Sequence, residues 1–281
     1  AHRSAAIHLH DLSMLTGYCA GWSLKQLIQE GLGGVPGKIT SSPAGHLSTL
    51  CNQMVNFLGI MQNEWAGAQA FSSFDTYLAP FVKVDNLSQK EVKQCIQSFI
   101  YGVNTPSRWG TQAPFSNITL DWVVPADLAD QPAIVGGKEM DFTYGDCKKE
   151  MDMVNKAFIE IMIEGDANGR GFQYPIPTYS ITRNFDWSET ENNKLLFEMT
   201  AKYGTPYFSN YINSDMEPSD VRSMCCRLRL DLRELRKKSG GFFGSGESTG
   251  SIGVVTINLP RIAYLAENEQ DFYARLNKQM D

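Results

Sequence analysis

An α/β organisation is what this sequence predicts. Short runs that read as strands are separated by longer stretches of helical apolar spacing. Gly- and Pro-rich punctuation divides one from the next. The 281 residues, 42% of them hydrophobic, suffice for one large domain or two smaller ones, each with a substantial core.

The first strand is expected in Ala5–Asp11, where apolar and polar residues alternate and place His8 and His10 on one side. Trp22–Ile28 reads as a short helix ending at Gly31, and Gly31–Pro43, rich in Gly, Pro and Ser, as loop. Leu47, Leu50, Met54, Phe57, Leu58 and Met61 keep helical spacing in a segment that ends near Trp65–Gly67. Ser88 and Glu91 fit a capping box ahead of Val92, Ile96 and Phe99. Ile118–Val124 is the next strand, Pro125–Tyr144 is irregular, and Asp146–Ile163 returns to a long helical pattern. A strand over Thr178–Thr182 and a helix over Glu189–Tyr203 follow. Arg233–Gly250, with Lys237-Lys238 and several glycines, is expected to be a mobile surface connection. Ile252–Leu259 is the last strand, stopped by Pro260 with Thr256 and Asn258 on one face, and Arg261–Gln279 is the last helix. No internal repeat stands out, and the pairs Gly33-Gly34 and Gly136-Gly137 are too little to define a phosphate site. The chain opens close to its first strand and closes directly after a helical pattern, which predicts a piece of a longer protein.

With 25 basic and 31 acidic residues the net charge is -6, so direct nucleic-acid binding lacks its basic footprint. A local pocket can still be positive and take a small anion. No apolar run approaches transmembrane length and Ala1–His10 lacks a signal peptide's apolar stretch, so a cytoplasmic protein with no membrane partner is expected. Six scattered cysteines without a CxxC pair fit a reducing compartment and give no thiolate metal site.

The chemistry-bearing residues are few. Cys225 and Cys226 are neighbours that do not readily bridge each other, so they are expected to face different surroundings. Cys19, just after the first strand, is the natural distant partner; each of these thiols can equally be a buried small hydrophobe. His8 and His10 share a face but have no third ligand nearby, which favours a pocket wall over a metal site. Asn63–Asp75 mixes small residues with the hydrogen-bonding groups of Gln69, Ser72, Ser73 and Asp75, and suits either a ligand or a tight turn. Asn104–Asn117 is a second such segment, in which Arg108 is the candidate for an anionic group.

Several of these stretches together resemble a known family, the anaerobic, class III ribonucleoside-triphosphate reductases, which are glycyl-radical enzymes. The similar segments are His10–Ser13, Tyr18–Trp22, Val55–Gly59, Asn63–Tyr77, Asn104–Gly110, Met224–Arg227 and Gly253–Arg261, spread over nearly the whole chain. The resemblance implies a ten-stranded barrel made of two half-barrels, with outer helices and a cysteine finger loop entering it. Residues 1–281 would form a partial catalytic barrel domain, about the first half-barrel, without the N-terminal regulatory domain and the C-terminal zinc and glycyl-radical region. Cys226, or alternatively Cys225, is similar to the cysteine that becomes a thiyl radical. Cys19 resembles the thiol across the substrate, and Asn258 the polar residue near the reductant.

The implied activity is the oxidoreductase step of deoxyribonucleotide biosynthesis for DNA replication. The thiyl removes hydrogen from C3′, the 2′-hydroxyl leaves as water, and Cys19 supplies reducing hydrogen. Formate restores the electron balance in the subtype with Asn at the Asn258 position, whereas another subtype uses a redoxin and a cysteine pair. The implied partners are ribonucleoside triphosphates, allosteric dNTP and ATP effectors, a radical S-adenosylmethionine activase and a second copy in a homodimer. The glycyl radical and structural zinc would reside in the C-terminal region, with nothing bound covalently here, so the stretch alone is expected not to turn over. A formate-lyase type of glycyl-radical enzyme and a non-catalytic nucleotide-binding or assembly module are the alternatives. Because radical transfer needs reactive atoms held at about 3–3.5 Å and shielded from side reactions, Cys19 and Cys226 are expected at one cavity with Asn258 along its wall.

Overall fold

The computed structural model describes residues 1–14, 16–33, 37–107, 112–220 and 249–281. Arg108, Cys225, Cys226 and the expected mobile connection up to residue 248 lie outside them. In chain order the strands are β1 (Ile7–Leu9), β2 (Cys19–Trp22), β3 (Gln69–Phe71), β4 (Ser116–Leu120), β5 (Pro132–Val135), β6 (Lys138–Thr143), β7 (Ile176–Ile181), β8 (Tyr207–Asn210), β9 (Thr249–Ser251) and β10 (Val255–Ile257). The helices are α1 (Leu24–Glu30), α2 (Leu47–Met61), α3 (Phe74–Val84), α4 (Gln89–Asn104), α5 (Ala126–Ala129), α6 (Lys148–Glu164), α7 (Glu191–Tyr203), α8 (Leu259–Leu265) and α9 (Glu269–Met280).

Five strands, β2, β3, β4, β7 and β8, lie side by side in that order and all run parallel, and β9 joins the free edge of β2 antiparallel. Parallel neighbours need long crossovers, and the intervening helices supply them. The sheet curls into an open half-barrel with helices flanking it, the α/β half-barrel expected above. β1 and β10 form a separate antiparallel ribbon.

Each face of the sheet has its own chemistry. Phe71, Ile118, Leu120, Tyr179 and Ile181 enter the main apolar core with Leu50, Met54, Phe74, Phe81, Phe99 and Phe158 from the helices, and Trp22 packs against it. Their strand neighbours alternate to the opposite face. There Cys19, Ala68 and Ala70 make a small separate cluster, flanked by Tyr18 and Phe115.

Helix α3 is buried over all of Phe74–Val82, its polar Asp75 and Thr76 included. Its Asp75 is the anchor. Asp75 Oδ1 accepts from Asp121 N at 2.8 Å, and Oδ2 from Trp122 N and Asn155 Nδ2, both at 2.9 Å. Tyr179 in turn donates to Asn155 Oδ1 at 3.0 Å. This carboxylate thereby joins α3, the exit of β4, α6 and β7 in one buried network. It also holds Trp122 at a φ of 64°, a left-handed conformation that costs a non-glycine residue and needs such support.

Four expectations are corrected. Pro125–Tyr144 is not irregular: it holds α5 and the hairpin β5–β6, closed by Gly136 and Gly137 at φ 62° and 74°, the pair of left-handed residues that a tight two-residue turn demands. Cys19 does not follow the first strand but opens β2, whose small residues are covered on both faces and therefore show no alternation. Ile252–Leu259 is not one strand, because the ladder of β10 ends at Ile257 and Asn258 turns to cap α8. The last helical pattern likewise divides into α8 and α9, each started by an asparagine, Asn258 and Asn268, that accepts an N–H of its first turn.

Candidate active site

Cys19 is fully buried at the start of β2. Ala68 N–H donates to its Sγ at 3.2 Å. The approach of the two strands depends on Gly67, where a Cβ would come within 2.7 Å of the Cys19 sulfur and 2.8 Å of the Tyr18 carbonyl. The thiol is thus fixed by backbone on one side.

The strand registers extend the face that carries Cys19. Ser251 lies opposite Cys19, Ala70 opposite Asn117, Thr119 opposite Thr178, and Ser180 opposite Ser209. The result is a concave wall mainly of hydroxyl, carboxamide and small side chains, with Ile176 opposite Asn117 and Tyr207 opposite Thr178 on the same face and the carboxylate of Asp121 following β4 at the far end. Such a wall suits an uncharged, hydroxyl-rich ligand surface. The Ser251 hydroxyl oxygen is buried and has no hydrogen-bond partner among the described residues.

The residues singled out from the sequence distribute unevenly over this geometry. Ser72 and Ser73, both buried, follow β3 directly. Ser73 sits at φ 54° and its N–H donates to Thr119 Oγ1 at 3.1 Å, which ties the exit of β3 to the wall. Gln69 is placed otherwise than expected. Its parity along β3 is that of Phe71, so it points toward the helices, where Oε1 accepts from Trp22 Nε1 at 2.6 Å and Nε2 donates to Ala68 O at 3.2 Å.

His8 and His10 stand on the β1–β10 ribbon, their rings 4.6 Å apart, with His2 5.2 Å from His8. His10 Nε2 shares a hydrogen bond of 2.8 Å with Thr256 Oγ1, and its ring lies 6.1 Å from that of Tyr18, the residue before Cys19. The histidine ribbon therefore adjoins the thiol end of β2. Among the described residues no group of three or more His, Cys, Asp or Glu is arranged to hold a metal ion.

Asn258 is at the other end of that ribbon. Its backbone N–H donates to Ala6 O at 3.1 Å, its Oδ1 accepts from Arg261 N at 3.0 Å, and its Nδ2 donates to Ala5 O at 2.9 Å. Both halves of the carboxamide are thus engaged in capping α8 and fastening it to the N-terminal segment. The residue directly opposite Cys19 across the strand pair is Ser251. Cys225, Cys226 and Arg108 lie outside the described residues.

The remaining described thiols are of a different kind. Burial pushes the Cys51 thiol far above its ordinary value and Cys147 up to about 12, and it also raises Cys95. Cys51 and Cys147 are core residues held as thiols, and Cys95 is half-buried beside the core. The wall residues Thr119, Thr178, Ser180, Ser209 and Ser251 were not singled out from the sequence, and Asn117 only as the end of the Asn104–Asn117 segment. In Ser116–Leu120 the signal was present, as the alternation of Asn117 and Thr119 with Ile118 and Leu120.

A curled, parallel α/β half-barrel with outer helices and a buried thiol on its polar inner wall defines part of a glycyl-radical-enzyme barrel. The comparisons with known proteins narrow this. A family model described as anaerobic ribonucleoside-triphosphate reductase matches residues 1–281, and the chain belongs to that family. It is 22% identical over 311 residues to the anaerobic ribonucleoside-triphosphate reductase of Haemophilus influenzae, covering 100% of this chain and 40% of that protein. It is 23% identical over 319 residues to the enzyme of the same name from Enterobacteria phage T4, again over 100% of this chain and 48% of the relative. The chain therefore spans less than half the length of these curated relatives.

Among solved structures, the anaerobic ribonucleotide reductase from Thermotoga maritima with dATP bound in the specificity site superposes with a TM-score of 0.70 at 21% identity, over 98% of this chain and 46% of that one. The same enzyme with citrate in the active site gives a TM-score of 0.68 at 21% identity, over 98% and 49%. At that identity the likeness establishes the fold.

Proposed function

We propose that the concave wall is the ribose-facing part of the active site in an anaerobic reductase that converts ribonucleoside triphosphates to 2′-deoxyribonucleoside triphosphates. The observation that carries this is Cys19: a buried thiol, fixed by Ala68 N–H, on a wall of uncharged hydrogen-bonding groups in a chain that belongs to this family. Cys19 is assigned the role of redox-active thiol on one side of the substrate. Cys226, with Cys225 as the alternative, is assigned the opposite side on resemblance. His8, His10, Ser72, Ser73 and Arg108 are assigned to the surroundings of the substrate. The family's glycyl radical would supply one-electron oxidation of a cysteine thiol. The wall's own contribution is to orient the ribose and keep bulk water from the sulfur.

The net change removes the 2′-hydroxyl as water and needs two electrons. With formate as co-substrate it balances as ribonucleotide plus formate plus a proton giving deoxyribonucleotide, carbon dioxide and water. Formate rests on the resemblance alone, since the carboxamide of Asn258 is committed to the α8 cap. Structural zinc, dNTP and ATP effectors, a radical S-adenosylmethionine activase, a homodimer and a cytoplasmic location are proposed on the same footing. Among the described residues no helix is long and apolar enough to cross a membrane.

The test is Cys19→Ala in the intact protein, activated under strictly anaerobic conditions. Deoxyribonucleotide formation should fall on the order of 10³-fold or more, as for loss of a reacting group, while ribonucleoside triphosphate binding persists. Turnover at the unsubstituted rate would refute the proposal.

A further inference from the structure

Asn258 and Ser251 differ in one decisive respect. Asn258 spends its carboxamide on Arg261 N–H and the Ala5 carbonyl, whereas the Ser251 hydroxyl oxygen is buried without a hydrogen-bond partner among the described residues. Leaving a buried hydroxyl unpaired is unfavourable, and natural structures keep few such groups without a reason. Ser251 is also the direct cross-strand neighbour of Cys19 in the β2–β9 pair. Directly opposed residues share a face, with Cβ atoms about 4.5–5.5 Å apart, so one ligand group can touch both side chains at once.

The strand carrying Ser251 is held close. A Cβ on the preceding Gly250 would meet the Cys19 carbonyl at 2.4 Å and the Trp65 ring at 3.2 Å, so β9 packs against β2 at a distance that only glycine permits. The serine is therefore presented from a backbone with little room to move.

We infer that Ser251 is a substrate-positioning residue of the Cys19 site, its hydroxyl hydrogen-bonding a ribose hydroxyl of the nucleotide that lies against the Cys19 sulfur. This rests on the reading of the wall as the ribose-facing surface. A serine hydroxyl both donates and accepts, which suits a vicinal diol, and its cross-strand partner is the thiol rather than a cation, so the triphosphate binds elsewhere. No covalent step is assigned to Ser251.

The experiment compares Ser251→Thr and Ser251→Val, which have nearly the same shape but differ in the hydroxyl, with Cys19→Ala and Asn258→Ala, all in the intact, anaerobically activated protein. Ser251→Val should raise KM for the ribonucleoside triphosphate about three- to tenfold relative to Ser251→Thr, the worth of one neutral hydrogen bond, with a smaller change in kcat and an equal Tm. Asn258→Ala should lower Tm while leaving KM unchanged, as loss of a helix cap does. Equal KM for the Thr and Val variants overturns the inference, as does a rise in KM for Asn258→Ala at unchanged Tm. If Cys19→Ala is inactive while Thr and Val behave alike, only the assignment of Ser251 fails. If Cys19→Ala remains active, the reading of the wall fails with it.

Discussion

Replacing Asp75 by alanine tests the buried network that carries the fold. The substitution strands three buried donors at once: Asp121 N, Trp122 N and Asn155 Nδ2, now bonded at 2.8, 2.9 and 2.9 Å. A buried donor left without its partner costs about 1–3 kcal/mol. Three such costs do not simply add, because the groups share one acceptor and the strand exit can relax. A destabilisation of about 3–5 kcal/mol is expected, the upper range for breaking a buried hydrogen-bond network. For a chain of this size roughly 2 °C of Tm accompanies each kcal/mol, so thermal unfolding at neutral pH should shift down by about 6–10 °C. The pH dependence gives an independent check. Burial pushes the Asp75 carboxyl above its ordinary value, against the pull of the Asn155, Asp121 and Trp122 donors. A raised folded value means that the folded state holds the proton more tightly. The group's contribution to stability therefore falls as pH rises from the ordinary carboxylate range to the folded value, and Asp75→Ala should remove that slope. A Tm change below about 2 °C would show that the network is not the tie described here.

Other consequences are open to measurement. Gly67→Ala should displace the Cys19 sulfur, since the new Cβ would lie 2.7 Å from it, and turnover should fall by more than a Tm loss of a few degrees explains. In the native protein Cys51 and Cys147 should resist alkylation at pH 8, where a thiol of pKa near 12 is only ~10⁻⁴ thiolate, and mass spectrometry should find both labelled only after unfolding. Asp146, Asp166 and Asp186 accept backbone N–H bonds that hold their carboxyls below the ordinary range. Their stabilisation is thus present above the unfolded value and lost as pH falls through the folded ones, so the urea midpoint should drop on the acid limb and drop less in the triple Asn variant. Gly137→Ala should destabilise the β5–β6 hairpin, because its φ is 74° and the added Cβ would meet the Gln29 carbonyl at 2.9 Å; a Tm equal to that of the unsubstituted protein would refute this.

The helices α2, α4, α6 and α7 are legible in the sequence because each keeps one face in the core and one in solvent, and the capping box at Ser88 and Glu91 forms as its spacing predicts. The central elements are less so. β2 and β3 are short and covered on both faces, so neither shows the alternation of a strand, and α3 carries its polar Asp75 and Thr76 into the core rather than to solvent. The hairpin was hidden because its turn glycines invite several readings until their φ values are seen. At the site, Cys19 could be chosen by residue type. Ser251 could not, because its relevance comes from a register across more than two hundred residues of chain. Asn258 was attractive for its chemistry, but helix capping competes for the same carboxamide.

The alternation of the half-barrel strands leaves the protein indifferent to many replacements yet intolerant of slippage. Deleting one residue within Ser116–Leu120 would keep the composition of β4 nearly intact while exchanging the destinations of everything beyond the cut. Methyl groups that now meet the helices would line the Cys19 face, and amide and hydroxyl groups would be driven into hydrocarbon. Variation in this lineage should therefore proceed by exchange of side chains within the strands, with gains and losses of length confined to the crossovers.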